Sequence, residues 1–211
     1  MNRIIVFALM FFCMTMQIEA QTLSEEEVTA KMYQAFELNK AAKKAEALEL
    51  FLIVGENTKQ QRNEGERQVY VCSQTMACQC YELLGRYKEG YLLGKSLLQG
   101  KLNDTERKDV GHLYAMNGYM YACEFIQRDE KGRADYKRGR ELISEILPYS
   151  DGQVKEYAET KIPLSWYFEG AQYAMTQSYD EALSSYEEAL NGFRDLGRVS
   201  EEVDVLSGIA S

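Results

Sequence analysis

Tyr87-Lys88-Glu89-Gly90 returns as Tyr136-Lys137-Arg138-Gly139 and again as Tyr179-Asp180-Glu181-Ala182, with a fainter copy at Lys44-Ala45-Glu46-Ala47. The small fourth residues stand at 47, 90, 139 and 182, so the steps are 43, 49 and 43. Self-similarity at such a period marks a solenoid, whose units bury their apolar faces only against their neighbours. Composition agrees: 45% of the 211 residues are apolar and only two are proline, and few segments show the alternation of half-buried strands. The expected fold is all-α, in one domain.

Working outward from the repeated tetrads, the helices fall into pairs. Ser24-Glu25-Glu26-Glu27 reads as a capping box, with the acids placed at a helix N-terminus. From there the spacing predicts helices over 24–40 and 43–58, then 66–84 and 87–100, 104–127 and 134–147, and 153–176 and 179–195. A last helix over 198–210, with Val199, Val203, Leu206 and Ile209, has no partner after it. Gly85 and Pro148 read as stop signals, and Pro163 as a break or kink. The polar insertion Gln127 to Arg133 accounts for the long step of 49.

Residues 1–20 are a different substance. A positive start at Asn2-Arg3, an apolar run from Ile4 to Met16 and a small polar exit at Gln17-Ile18-Glu19-Ala20 read as a secretory signal peptide cleaved after Ala20. The run is shorter than the roughly 20 residues a membrane span needs. Met10-Phe11-Phe12 before Cys13 lacks the small residues of a lipid-attachment site. Residues 21–211 form the helical domain, with no membrane span in the mature chain. The leader carries one Arg and one Glu, so the mature charge stays at −9. That charge argues against nucleic acid, which needs a basic stripe.

Four cysteines remain in the mature chain: Cys72, Cys78, Cys80 and Cys123. The favoured reading is apolar packing. A Cys72–Cys123 disulfide stays open for an exported protein. The spacing fits no zinc pattern, and His112 is the only histidine. No glycine-rich phosphate loop is present, and acid runs such as Glu25-Glu26-Glu27 read as solvated faces. The expectation is therefore a chain with no catalytic residues, no metal and no cofactor.

In the fourth pair, Trp166-x-x-Glu169-Gly170-x-x-Tyr173 followed by Ala182-x-x-x-Tyr186-x-x-Ala189 resembles a tetratricopeptide repeat. The resemblance extends to Cys78 and Gly90 in the second pair, to Gly118 and Gly139 in the third, and to Ala35, Leu38, Ala47 and Phe51 in the first. It covers about residues 24–211 and is closest to the long-helix variety common in exported ectodomains of bacterial regulators. It implies a right-handed solenoid of about four antiparallel pairs plus a terminal helix. Trp166 is then expected between helices, Gly170 and Ala182 at the closest approach, and Tyr173 and Tyr186 filling the space around them. Glu169 stands where the motif prefers leucine, and Gly94 where a large residue is usual, which suggests a gap or a local close approach.

The same resemblance places a concave groove along the first helices. Its expected lining is Met32, Phe36 and Asn39; Thr75, Gln79 and Glu82; His112, Ala115, Tyr119 and Cys123; and Tyr167, Ala171 and Met175. The lining lacks the Lys, Arg and Asn ring with which some family members clamp a terminal carboxylate, so aromatic and aliphatic anchors are expected. The implied function is a non-catalytic scaffold that binds a protein or peptide, in the periplasm of a Gram-negative bacterium or outside the cell. The alternative is the sensing ectodomain, or a cut-off start, of a membrane-bound two-component sensor or transcriptional regulator.

Overall fold

The computed structural model describes residues 23–127 and 134–210. The predicted leader, residues 1–20, lies outside the described residues, as does most of the polar insertion before residue 134. Among the described residues 84% are helical and none is in a strand. Nine α-helices follow one another among these residues: α1 (Glu25–Lys40), α2 (Lys44–Thr58), α3 (Glu64–Leu83), α4 (Tyr87–Leu98), α5 (Asp104–Ile126), α6 (Tyr136–Ile146), α7 (Gly152–Met175), α8 (Tyr179–Asp195) and α9 (Val199–Ala210). One turn of 3₁₀ helix, Leu147–Tyr149, follows α6 and carries Pro148. The boundaries fall within two residues of the predicted ones.

Local chemistry sets those boundaries. The Ser24 hydroxyl accepts from the Glu27 amide while the Glu27 carboxylate accepts from the Ser24 amide, the predicted capping box. Asn103 and Glu106 make a second box at α5 that the sequence reading missed, and Asn63 caps α3 alone. The turns share one geometry. Ala42, Gly85, Gln177 and Gly197 all have φ between 60° and 70°. After each, the next amide reaches back five residues: Lys43 to Leu38, Arg86 to Tyr81, Ser178 to Tyr173 and Arg198 to Phe193, at 2.9–3.0 Å. This is the left-handed helix stop that glycine adopts without strain. The turn into α9 is therefore built like the turns inside pairs.

At Pro163 the break does not occur. Helix α7 runs unbroken through it, with the Pro163 ring against Gly192 of α8, where a Cβ would lie 2.8 Å away. A proline removes one helical hydrogen bond. Here the surrounding 24-residue helix, packed along α8, outweighs that loss.

Each helix packs on the next one in the chain, and in addition α3 touches α5 and α5 touches α7. The contacts between these first helices keep a steady interval. Arg67 grips Glu106, and Asn117 Nδ2 donates to the Cys78 carbonyl, both across 39 residues. His112 and Asp151 repeat that interval, and Arg198 reaches Thr160 across 38. An offset that holds at both ends of α3 and α5 is what helices lying side by side in one direction produce. The core runs along the row as linked clusters: Ala35, Ala47 and Phe51; Cys78, Leu97 and Val110; Leu142, Ile143 and Ile146; Ala189, Phe193 and Val205. Fully burying one of the larger of these side chains contributes about 1.5–3 kcal/mol.

Candidate functional site

The small residues of the repeats stand at close contacts between helices. Gly90, Gly139 and Ala182 all abut the first helix of their own pair. The Cys78 thiol lies 3.7 Å from the Gly90 carbonyl. A Cβ on Gly139 would meet Ile126 at 2.4 Å and the Ala122 carbonyl at 3.3 Å, and one on Gly170 would meet the Ala182 carbonyl at 3.1 Å. Gly94 marks a close approach rather than a gap, because its added Cβ would stand 3.2 Å from the Tyr114 Cα. Ala47 and Tyr186 are buried as predicted.

Gly118 is buried and closely packed, between Tyr91 and Ile146. One packing assignment needs correcting. Tyr173 is 36% exposed and does not fill the space between helices. It sits in the last turn of α7, on the edge of an open hollow of about 560 Å³ that Trp166, Lys137 and Asp180 also line.

Beside that hollow, Arg140 of α6 lies flat on the Trp166 ring, 3.3 Å from its centroid, and donates to Glu169 at 2.7 Å and to Ser165 at 3.3 Å. Arg140 and Glu169 form a nearly buried ion pair.

Along the first helices, the predicted lining divides. Gln79, His112 and Met175 are exposed, and Met32 and Tyr119 are half-buried. Met32 and Phe36 share a hollow of about 240 Å³ between α1 and α3 with Val28, Thr29, Tyr33 and Val69. His112 Nδ1 is 3.0 Å from Asp151 Oδ1. Asp151 is the N-cap residue of α7 but makes no side-chain cap, its carboxylate being turned to α5 instead. Tyr119 stacks on Tyr157 with ring centroids 6.4 Å apart. The Tyr119 hydroxyl and the neighbouring Cys123 thiol are both pushed up by burial. Burial also raises the half-buried Glu82 carboxyl, with the charge of His112 acting against it.

Other predicted members are spent on structure. The Phe36 ring stands edge-on to Phe51 at 5.5 Å. Asn39 accepts from Lys44 at 2.6 Å beside its turn. The Thr75 hydroxyl donates to the Val71 carbonyl at 2.7 Å. Ala115 and Cys123 are buried, because α5 is covered by a helix on each side. Tyr167 leans on Tyr186 at 5.8 Å, and Ala171 packs on the same cluster.

Three exposed aromatics on the first helices were missed: Tyr33 at 70%, Tyr157 at 53% and Phe168 at 38%. The signal was available. Tyr157, Phe168 and Met175 are 11 and 7 residues apart, within about 20° of one line on an α-helix, whereas Tyr167 lies about 100° off it.

Little in this arrangement activates a nucleophile. Burial pushes the Cys78 thiol up to about 12, and the Cys80 thiol is raised as well. Among the described residues Cys72, Cys78, Cys80 and Cys123 are free, so the Cys72–Cys123 bridge is not formed. Among the described residues no group of three or more His, Cys, Asp and Glu is placed to hold a metal ion, and no helix is long and apolar enough to cross a membrane. No family model matches the chain, and no curated protein matches it.

Proposed function

We propose that the chain is a non-catalytic scaffold, a right-handed solenoid of the tetratricopeptide kind, exported by its leader and holding a protein or peptide against the face of its first helices. The steady interval of about 39 residues between neighbouring first helices supports the stacked architecture. The observation that carries the binding reading is the line of Tyr157, Phe168 and Met175 along α7, with Tyr119 stacked at its edge. Large apolar side chains held exposed on a rigid helix in one line are the pattern of binding anchors.

Selection from a phage-displayed random-peptide library tests this. Peptides that bind should lose about tenfold or more in affinity on Tyr157→Ala with Phe168→Ala, since one aromatic anchor commonly carries 1.4 kcal/mol or more. Unchanged circular dichroism must accompany that loss. Selected peptides that bind this variant and Tyr119→Ala as well as the parent would place recognition on another surface and overturn the reading.

A further inference from the structure

Away from the aromatic line on α7 lies the open hollow of about 560 Å³ beside the Arg140–Glu169 pair, a volume within the range of small-molecule sites. Trp166, Glu169 and Tyr173 of α7 line one side of it. They are 3 and 4 residues apart, and their stripe stands roughly 150° around the helix from Tyr157, Phe168 and Met175. The other sides are the start of α6, with Lys137 and Arg140, and the start of α8, with Asp180, Glu181, Ser184 and Ser185. One pair earlier the gap between second helices is bridged, because Tyr91 and Lys95 of α4 both reach Glu145 of α6. Among the described residues no hydrogen bond or ion pair crosses from α6 to α8.

Most of the polar groups in the hollow are unpaired. Arg140 and Glu169 neutralise each other, but Lys137, Asp180, Glu181 and Ser184 have no ion-pair or hydrogen-bond partner among the described residues. Ser185 is only 4% exposed, and its hydroxyl has no partner there either. A hydroxyl buried that far is normally hydrogen-bonded, and the hollow is the space that Ser185 lines. We propose that the hollow binds a neutral saccharide. One unpaired ammonium stands with two unpaired carboxylates, so a simple anion is repelled by Asp180 and Glu181 and a simple cation by Lys137. A pyranose suits both signs. Each of its hydroxyls donates and accepts, so Asp180 and Glu181 can accept from two of them while Lys137 donates to another, all by charge-assisted hydrogen bonds. Its ring carbons present an apolar face, for which the Tyr173 ring at the edge of the hollow is the platform. Trp166 is less free to serve, since Arg140 covers one face and the ring packs on the cluster around Ala182 and Tyr186.

A glycan array probed with the fluorescently labelled chain tests the class of ligand, and the emission of Trp166, the one tryptophan, follows the binding in solution. Neutral oligosaccharides should be retained in preference to sialylated and sulfated ones and to a lysine-rich peptide spotted beside them. Those retained should change the Trp166 emission saturably. Asp180→Asn with Glu181→Gln should weaken that binding about tenfold or more, as the loss of a charge-assisted hydrogen bond does. Ser185→Ala, which keeps the buried packing, should weaken it as well. Both variants should keep the parent's circular dichroism, because Asp180 and Glu181 are exposed and their replacements have the same shape. An array that retains no neutral glycan, or that retains the acidic glycans or the peptide instead, overturns the proposal. So does saturable binding that both variants leave unchanged. Tyr157→Ala with Phe168→Ala should leave glycan binding at the parent level, so this inference and the scaffold reading can fail separately.

Discussion

Gly90→Ala is the sharpest test of how the repeats are packed. Gly90 is buried, and a Cβ built on it would lie 2.2 Å from Asn117 Oδ1 and 2.5 Å from its Cγ. Asn117 has nowhere to go: it is fully buried, and its Nδ2 donates to the carbonyls of Leu113 at 2.9 Å and Cys78 at 3.3 Å. On an exposed helix the change would gain about 1 kcal/mol of helix propensity. Here it meets roughly 1–3 kcal/mol of overpacking and, if Asn117 is forced out, roughly 1–3 kcal/mol for buried hydrogen bonds left unmade. The balance is a loss of about 2 kcal/mol, which for a domain of this size lowers the midpoint by roughly 4–8 °C. Urea and thermal unfolding followed by far-ultraviolet circular dichroism measure it. Because the cost comes from one neighbour, Asn117→Ala should remove it: in that background Gly90→Ala is expected to be neutral or stabilising by up to about 1 kcal/mol. A coupling energy near 2 kcal/mol is the prediction. Additive effects of the two changes would refute the close approach of α4 to α5 at this point.

Gln177→Gly should raise the midpoint by roughly 1–3 °C in the same assay, because Gln177 is held at φ 62° between α7 and α8 and left-handed backbone costs a non-glycine residue about 1 kcal/mol or more. Arg140→Ala should cost about 3 kcal/mol by stranding the Glu169 carboxylate, with a red shift of the emission of Trp166, the one tryptophan in the chain; the pair Arg140→Met with Glu169→Leu should recover most of the loss. Two glutamates should respond to pH with opposite signs. Burial holds Glu82 above its ordinary value of 4.5, so its protonated form favours the fold, and that contribution is lost as pH rises through the raised value; Glu82→Gln should therefore be more stable than the parent at about pH 7 and no different at about pH 4. Arg67 holds Glu106 below 4.5, so its contribution is present above that value and disappears as pH falls; Glu106→Gln should be less stable at about pH 7 and converge with the parent towards about pH 3.

The helices were legible because their signals are local. Ser24 with Glu27, Gly85 and Pro148 each act within one turn of backbone, and the tetrads at 87, 136 and 179 sit on the first turn of α4, α6 and α8. What the sequence misjudged depends on neighbours. Pro163 reads as a breaker only until Gly192 is known to receive its ring.

The candidate face shows the same limit at finer scale. Carrying a repeat motif onto α7 places its exposed line within one residue, and one residue on a helix is 100°. Tyr167 and Phe168 are both aromatic, so composition cannot choose between them; the choice is made by Tyr186 of α8, which takes Tyr167 into the fourth pair and leaves Phe168 outside. Polar members of the predicted lining are placed by a different cause. Asn39 and Thr75 can satisfy their groups on their own helix or turn, and do so, because a hydroxyl or amide half-buried among first helices has a carbonyl or ammonium closer than any ligand. Gln79 and His112 are exposed, with the His112 ring against Asp151. The face that survives is therefore more aromatic than the predicted one and is concentrated on α7, where Tyr157, Phe168 and Met175 extend over 18 residues, about 27 Å of rigid helix. An anchor row of that length favours a partner that lies along α7 over one that crosses the row at a single repeat.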